Sequence, residues 1–287
     1  MKVSILASLT GLAGDHAVLE TALALAALDG GHIDALHVRL GLRDITEISA
    51  VLPGHGSAMA ATSSELSRKE NHLAGAAKAA LKAACETHGV IIAQDPPGFV
   101  QRSASWLSVE SATLYETADR ARAYDITIVA REMQLYGGRI ADIVMRSGRP
   151  VVIASAKPQP AIARSVAIAW RPGADASRAL AAATPFLGRA EKITLIAVPE
   201  RDNDRESLLK AGESFVHAMS QTRPGVSLLV TDASGYVADA LRGAAYGVNA
   251  DLLVMGAYGH SRLEETILGG VTKAMLATCE IPVLMFH

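Results

Sequence analysis

The sequence predicts an α/β protein made of two tandem, doubly wound parallel-sheet units of Rossmann-like type. Three observations predict it. Short apolar runs of strand length alternate with longer amphipathic stretches along the 287 residues. Five of these runs recur in the same order in the two halves of the chain. In the second half, one run opens into a glycine-punctuated loop followed by a helical pattern, the arrangement found at the carboxyl edge of a parallel sheet.

In the first half, residues 3–9 read as the opening strand and residues 15–28 as a helix, with Asp15 suited to cap its start. Residues 32–38 read as the second strand. Residues 41–70 are rich in Gly, Ser, Ala and Thr around Pro53-Gly-His-Gly56 and are read as a flap or a helical excursion. A helix over 71–86, a strand over 89–95, a helix over 105–123 and a strand over 125–130 follow. Gly137-Gly138 and Pro150 precede the closing run 151–154.

The second half repeats this order. Strands are expected over 166–170, 192–198, 225–232, 251–256 and 283–286, and helices over 174–187, 207–220, 236–246 and 273–278. Each half therefore reads β-α-β-α-β-α-β-α-β. Nearly continuous apolar strands between helices imply a parallel sheet covered on both faces, wound by right-handed crossovers. Lys157-Pro-Gln-Pro160 reads as a short stiff linker between domains at 1–157 and 161–287.

Composition narrows the function. Half of the residues are apolar and 4% aromatic, enough aliphatic material for a core in each unit. A net charge of −2, without a long Lys/Arg run, argues against nucleic acid as partner. Cys85 and Cys279 form no CxxC pair and read as buried thiols in a reducing compartment. The N-terminal run soon meets Asp15, His16 and Glu20, so it reads as a strand and not as a secretion signal. No apolar stretch approaches a membrane span, and a cytoplasmic protein is expected.

The chemistry concentrates after residue 251. The run Asp251-Leu-Leu-Val-Met255 leads into Gly256, Gly259, His260, Arg262 and Gly269-Gly270, then Val271 and Thr272. Glycines let backbone amides approach an anion, and the following helix N-terminus adds partial positive charge. The repeat exposes an asymmetry: twelve residues separate Gly256 from Gly269, but six separate the equivalent Ala130 from Gly137. The second half is therefore expected to bind the nucleotide and the first to be a degenerate partner. The alternative is that the glycines merely fit a turn.

These residues resemble the universal stress protein family in its tandem two-domain form. Gly256, Gly259 and Gly269 match the Gly-x2-Gly-x9-Gly spacing of its nucleotide-binding members. The resemblance implies an adenine-nucleotide alpha hydrolase-like fold and binding of ATP or AMP, with or without Mg. It implies an adenine lying against Ala169, Trp170, Arg171 and Val198, and phosphates surrounded by Gly256, Gly259, Gly269, Gly270 and Val271, with Met255 at the strand end before them. Two departures stand out. The family's Ser/Thr after the third glycine is Gly270, with Thr272 two residues on, and Trp170 stands where relatives often carry an Asp. Trp170 either stacks on a purine or occupies its space. Arg171 reaches a phosphate or ribose, or is a solvated loop charge. Arg262 pairs with phosphate, or with Glu264 or Glu265.

An enzyme is not expected. The histidines, His37, His217 and His260 among them, show no metal spacing and read as structural or exposed. Neither a GxSxG elbow nor a GxxxxGK[ST] loop is present, so any ATP hydrolysis should be slow. The resulting expectation is a stress-response sensor or adaptor that shows nucleotide-dependent surfaces to unknown protein partners. The second reading is a carrier of a hydrophobic, lipid-like molecule covered by residues 41–70. The closing runs 151–154 and 283–286 would be exposed edges if unpaired. They are expected to pair antiparallel in an intramolecular pseudo-dimer, with homodimerisation following by analogy.

Overall fold

The computed structural model describes residues 3–41, 63–94, 102–111, 115–135, 140–156, 162–199, 204–232, 235–257 and 270–287, which hold eleven strands and eight helices. The chain divides into two compact units, Met1–Ser147 and Gly148–His287. The proposed linker at 157–160 lies outside the described residues.

The first unit contains β1 (Ser4–Leu9), α1 (Gly14–Asp29), β2 (His32–Arg39), α2 (Ser63–His88), β3 (Ile91–Ile92), β4 (Ser103–Glu110), α3 (Glu116–Ala121), β5 (Ile126–Val129) and α4 (Ile140–Ser147). A 3-10 turn over Arg131–Leu135 follows β5. Its strands lie in the order β3-β4-β2-β1-β5, all parallel. Ile5, Leu6, Ile33, Leu36, Ile126 and Ile128 are almost fully buried, as expected of strands covered on both faces.

Two expectations for this unit are corrected. The helix expected over 105–123 is a strand followed by a short helix. Residues 103–110 pair with β2 along its whole length, from His32–Ser103 to Arg39–Glu110. Their Trp, Val and alternating Ser suit a half-buried strand better than a helix. β4 takes the place beside β2, and the expected third strand shrinks to Ile91–Ile92 at the edge. The second correction concerns Asp15. The helix N-cap is Ala13, without a side-chain bond. The Asp15 carboxylate instead accepts the Thr10 amide at 2.7 Å, the Thr10 hydroxyl at 3.1 Å and the Gly11 amide at 2.8 Å. It ties down the loop after β1, and burial raises its affinity for a proton despite those bonds.

The second unit contains β6 (Val151–Ile153), β7 (Ser165–Ala169), α5 (Ala174–Leu187), β8 (Lys192–Ala197), α6 (Arg205–Ser220), β9 (Val226–Val230), α7 (Val237–Gly247), β10 (Leu252–Gly256), α8 (Gly270–Thr278) and β11 (Val283–Phe286). The strand order is β6-β11-β10-β7-β8-β9. β6 runs antiparallel to β11, pairing Ile153 with Val283 and Val151 with Met285, so the expected pairing of the closing runs is present. β10 is parallel to both β11 and β7. β8 is parallel to β7 and β9.

One device recurs in both units. The Asp125 carboxylate accepts the Ser4 amide at 2.9 Å and the Ser4 hydroxyl at 2.8 Å. The equivalent Asp251 accepts the amides of Arg164 at 3.0 Å and Ser165 at 3.3 Å. Each aspartate precedes one strand and ties down the start of the neighbouring strand.

A polar cluster also joins β2, β4 and the turn after α3. Asp34 accepts hydrogen bonds from Ser105, from Tyr124 at 2.7 Å and from His32 at 3.0 Å. Burial opposes the charge, yet these donors hold the Asp34 carboxyl at about 2, below its ordinary 3.8. A depressed carboxyl adds stability that is complete above pH 4 and is lost as pH falls toward 2. The size is on the order of 2 kcal/mol. Acid unfolding of the first unit should show this loss, and Asp34→Asn should flatten that limb; an unchanged limb would refute the assignment.

Among the described residues, no helix is long and apolar enough to cross a membrane. Cys85 and Cys279 are buried free thiols.

Candidate functional site

In the second unit the chain turns one way from β7 to β8 and β9, and the other way to β10 and β11. The switch point therefore lies between β7 and β10, where open α/β sheets hold ligands at their carboxyl ends. Val254 pairs with Ile168, which places Gly256 and Trp170 on the two sides of this point. The next helix, α8, starts at Gly270. Both anchors of the glycine ribbon thus stand at the same edge of the sheet. Gly259, His260, Arg262 and Gly269 lie outside the described residues.

The described candidates differ in what they offer. Ala169 and Val198 are half-buried at the ends of β7 and β8, and Met255 is buried inside β10. Arg171 is exposed in the loop before α5. Trp170 is only 7% exposed; its amide stays in the ladder, donating to the Ile196 carbonyl at 2.9 Å. Its indole packs against Phe215 of α6 with ring centroids 5.6 Å apart and planes at 42°. Trp170 therefore serves the packing between the end of β7 and α6.

Gly256 has a packing role. A Cβ there would lie 3.0 Å from the carbonyl oxygen of Asp175 and 3.1 Å from its Cβ. The first unit makes the same close crossing with the glycine on the helix side: a Cβ on Gly14 would lie 2.7 Å from the Cβ of Ala130. Gly256→Ala is expected to cost the second unit roughly 1–2 kcal/mol by overpacking. Urea unfolding followed by Trp170 emission, in a Trp106→Phe background, measures it.

Gly270 contrasts with Gly256. It is exposed, and the space a Cβ would enter holds nothing within 4 Å. The amides of Gly270 and Val271, in the first turn of α8, have no helical carbonyl to bond. Val271 is half-buried, and Thr272 is 4% exposed with its side chain turned into the protein. At this helix start the exposed group is thus the Gly270 backbone, and the Thr272 side chain is buried.

At the corresponding edge of the first unit, the 3-10 turn 131–135 follows β5. His37 is 2% exposed, its Nδ1–H donates to the Leu9 carbonyl at 3.0 Å, and its ring stacks with Trp106 at 6.1 Å. His217 is exposed on α6. Among the described residues no three His, Cys, Asp or Glu side chains are grouped to hold a metal ion.

The universal stress protein family model matches residues 150–287. These residues form a universal stress protein domain. The matched segment is essentially the second unit, β6 included. Solved structures extend the likeness in fold to the whole chain. A universal stress protein from Archaeoglobus fulgidus is 17% identical with a TM-score of 0.67, over 99% of this chain and 96% of that one. A putative universal stress protein from Pseudomonas aeruginosa is 13% identical with a TM-score of 0.59, over 99% and 92%. A functionally unknown protein from Pseudomonas aeruginosa is 14% identical with a TM-score of 0.57, over 99% and 92%. At such identities the likeness establishes the architecture. No curated protein matches the sequence.

Sequence reasoning singled out the two anchors of the ribbon. It missed the tie from Asp15 to the loop after β1, although an aspartate four residues after a glycine at a strand end is a usable signal. It also missed Phe215 as the partner of Trp170, because helix residues 45 positions away carry no local mark of a contact.

Proposed function

We propose that the second unit binds an adenine nucleotide, ATP or AMP, and that the protein acts as a nucleotide-dependent sensor or adaptor in a stress response. The observation that carries this reading is the exposed Gly270 at the start of α8, joined to the end of β10 at the sheet's switch point by a Gly-x2-Gly-x9-Gly sequence. Membership of residues 150–287 in the universal stress protein family supports it.

In this reading the amides of Gly256, Gly259, Gly269, Gly270 and Val271 bind the phosphates, and Ala169 and Val198 border the base. Trp170 forms the wall behind the base through its packing on Phe215. Arg171 and Arg262 supply positive charge at the rim, and Mg accompanies the phosphates where ATP is bound. The first unit, with its shorter loop, is the degenerate partner. Occupancy orders the ribbon and alters the surface offered to a protein partner.

Titration of the full chain with ATP and with AMP tests the proposal. Saturable binding is expected, and lack of binding at millimolar nucleotide refutes it. Arg171→Ala should weaken ATP binding by about tenfold, near 1.4 kcal/mol, as for one charged contact at a rim.

A further inference from the structure

The first unit has a groove between α2 and the outer strands β4 and β3. Its volume is about 340 Å³, and its lining is nearly all apolar. Gly75, Lys78, Ala79 and Lys82 come from α2, at spacings that put them on one helix face. Ile92 and Trp106 form the opposite side. The neighbouring surface is unusual as well. Ile91 and Ile92 are 48% and 45% exposed, among the few exposed large apolar side chains. A Cβ on Gly75 would meet nothing within 4 Å, so the small residues of α2 keep the groove open.

The charged residues that line it are both lysines, Lys78 and Lys82. Lysines line an apolar groove through their aliphatic stems, which carries the ammonium groups to its rim. Lys82 has only a loose, exposed pair with Glu86 at 3.8 Å, and Lys78 forms no ion pair among the described residues. Apolar walls with two cations at the border complement an apolar chain ending in an anion. The volume matches roughly eleven heavy atoms at about 30 Å³ each, the size of a single medium-length chain. An extended peptide fits less well, because β3 offers only two residues of edge for a backbone ladder.

We propose that this groove is a binding site for a medium-chain carboxylate, with its tail against Trp106, Ile92, Gly75 and Ala79 and its carboxylate between Lys78 and Lys82. The site is independent of the nucleotide proposal and uses neither Trp170 nor residues 41–70.

The chain's two tryptophans make the test direct. In Trp170→Phe protein, Trp106 is the sole indole, and it lines the groove. Decanoate, added below its micellar range, should shift Trp106 emission to the blue in a saturable way. Decanol should bind at least tenfold more weakly, and decylamine should give no shift. Lys78→Glu with Lys82→Glu should reduce decanoate affinity at least tenfold with unchanged thermal unfolding. Gly75→Leu should fill the groove and abolish the response while the helix stays folded by circular dichroism. The proposal is overturned by an unshifted Trp106 at millimolar decanoate, by equal binding of decanol, or by a full response in Gly75→Leu. It is also overturned if an acidic, apolar peptide binds the groove and decanoate does not.

Discussion

Gly269→Val is expected to abolish nucleotide binding by the second unit, lowering ATP affinity about 100-fold or more. Hydrogen bonds from backbone amides to a charged phosphate contribute about 1.5–3 kcal/mol each. A side chain that keeps two amides from the phosphate therefore removes at least about 3 kcal/mol, which is more than about 100-fold. Gly259→Asp should do more harm, because it adds a negative charge where phosphates are to lie. Neither change should alter unfolding of the first unit, followed through Trp106. Isothermal titration of parent and variants with ATP decides the matter. A Gly269→Val chain that binds as tightly as its parent would mean that the ribbon glycines serve its own fold. The proposed site at α8 would then be wrong even if the chain bound nucleotide elsewhere.

This experiment separates two roles that glycine spacing alone cannot. Gly256 belongs to the family motif, yet the helix-start backbone of Asp175 already requires a small residue there. The first unit meets the same demand with Gly14 against Ala130. The motif is thus partly a packing rule shared by both copies, while Gly270 carries no such packing constraint, since a Cβ there would meet nothing within 4 Å.

Periodicity and repetition made the tandem α/β architecture legible, because strands buried on both faces leave long apolar runs between helices. The second unit keeps one strand per repeat step, and its elements fall where the pattern puts them. The first unit departs at residues 103–110. Their Trp, Val and Ser lean toward a strand, and pairing with β2 decides the outcome. Such a pairing depends on residues some 70 positions away, beyond the reach of any local window. The same holds for Trp170. The sequence placed it at a strand end at the sheet's carboxyl edge, and a contact with Phe215 on the second helix of its unit fixes where its indole lies. Of the candidate site, the glycine anchors could be read from their spacing and from the repeat, whereas the walls could not.

Gly11 shows how large a nonlocal constraint can be. Its φ is +81°, and a Cβ there would lie 2.4 Å from the Leu73 carbonyl oxygen and 2.7 Å from the Leu73 Cα. Both obstacles are backbone of α2, so no side-chain rotation relieves them. Gly11→Val combines left-handed strain with overpacking and is expected to destabilise the first unit by roughly 3–5 kcal/mol. The Asp15 carboxylate holds the Gly11 amide in place at 2.8 Å, which keeps the loop from shifting away from α2. Gly75, two residues beyond Leu73 on the same helix, provides the internal contrast. Its Cβ position is open, and Gly75→Ala should stabilise the helix by about 0.5–1 kcal/mol. Urea unfolding followed by Trp106 emission in a Trp170→Phe background reads both changes in one unit. The midpoints should move in opposite directions, far down for Gly11→Val and slightly up for Gly75→Ala. An unmoved midpoint for Gly11→Val would mean that the loop after β1 can leave α2 without loss, and that the clamp formed by Asp15, Gly11 and Leu73 does not hold the first unit together.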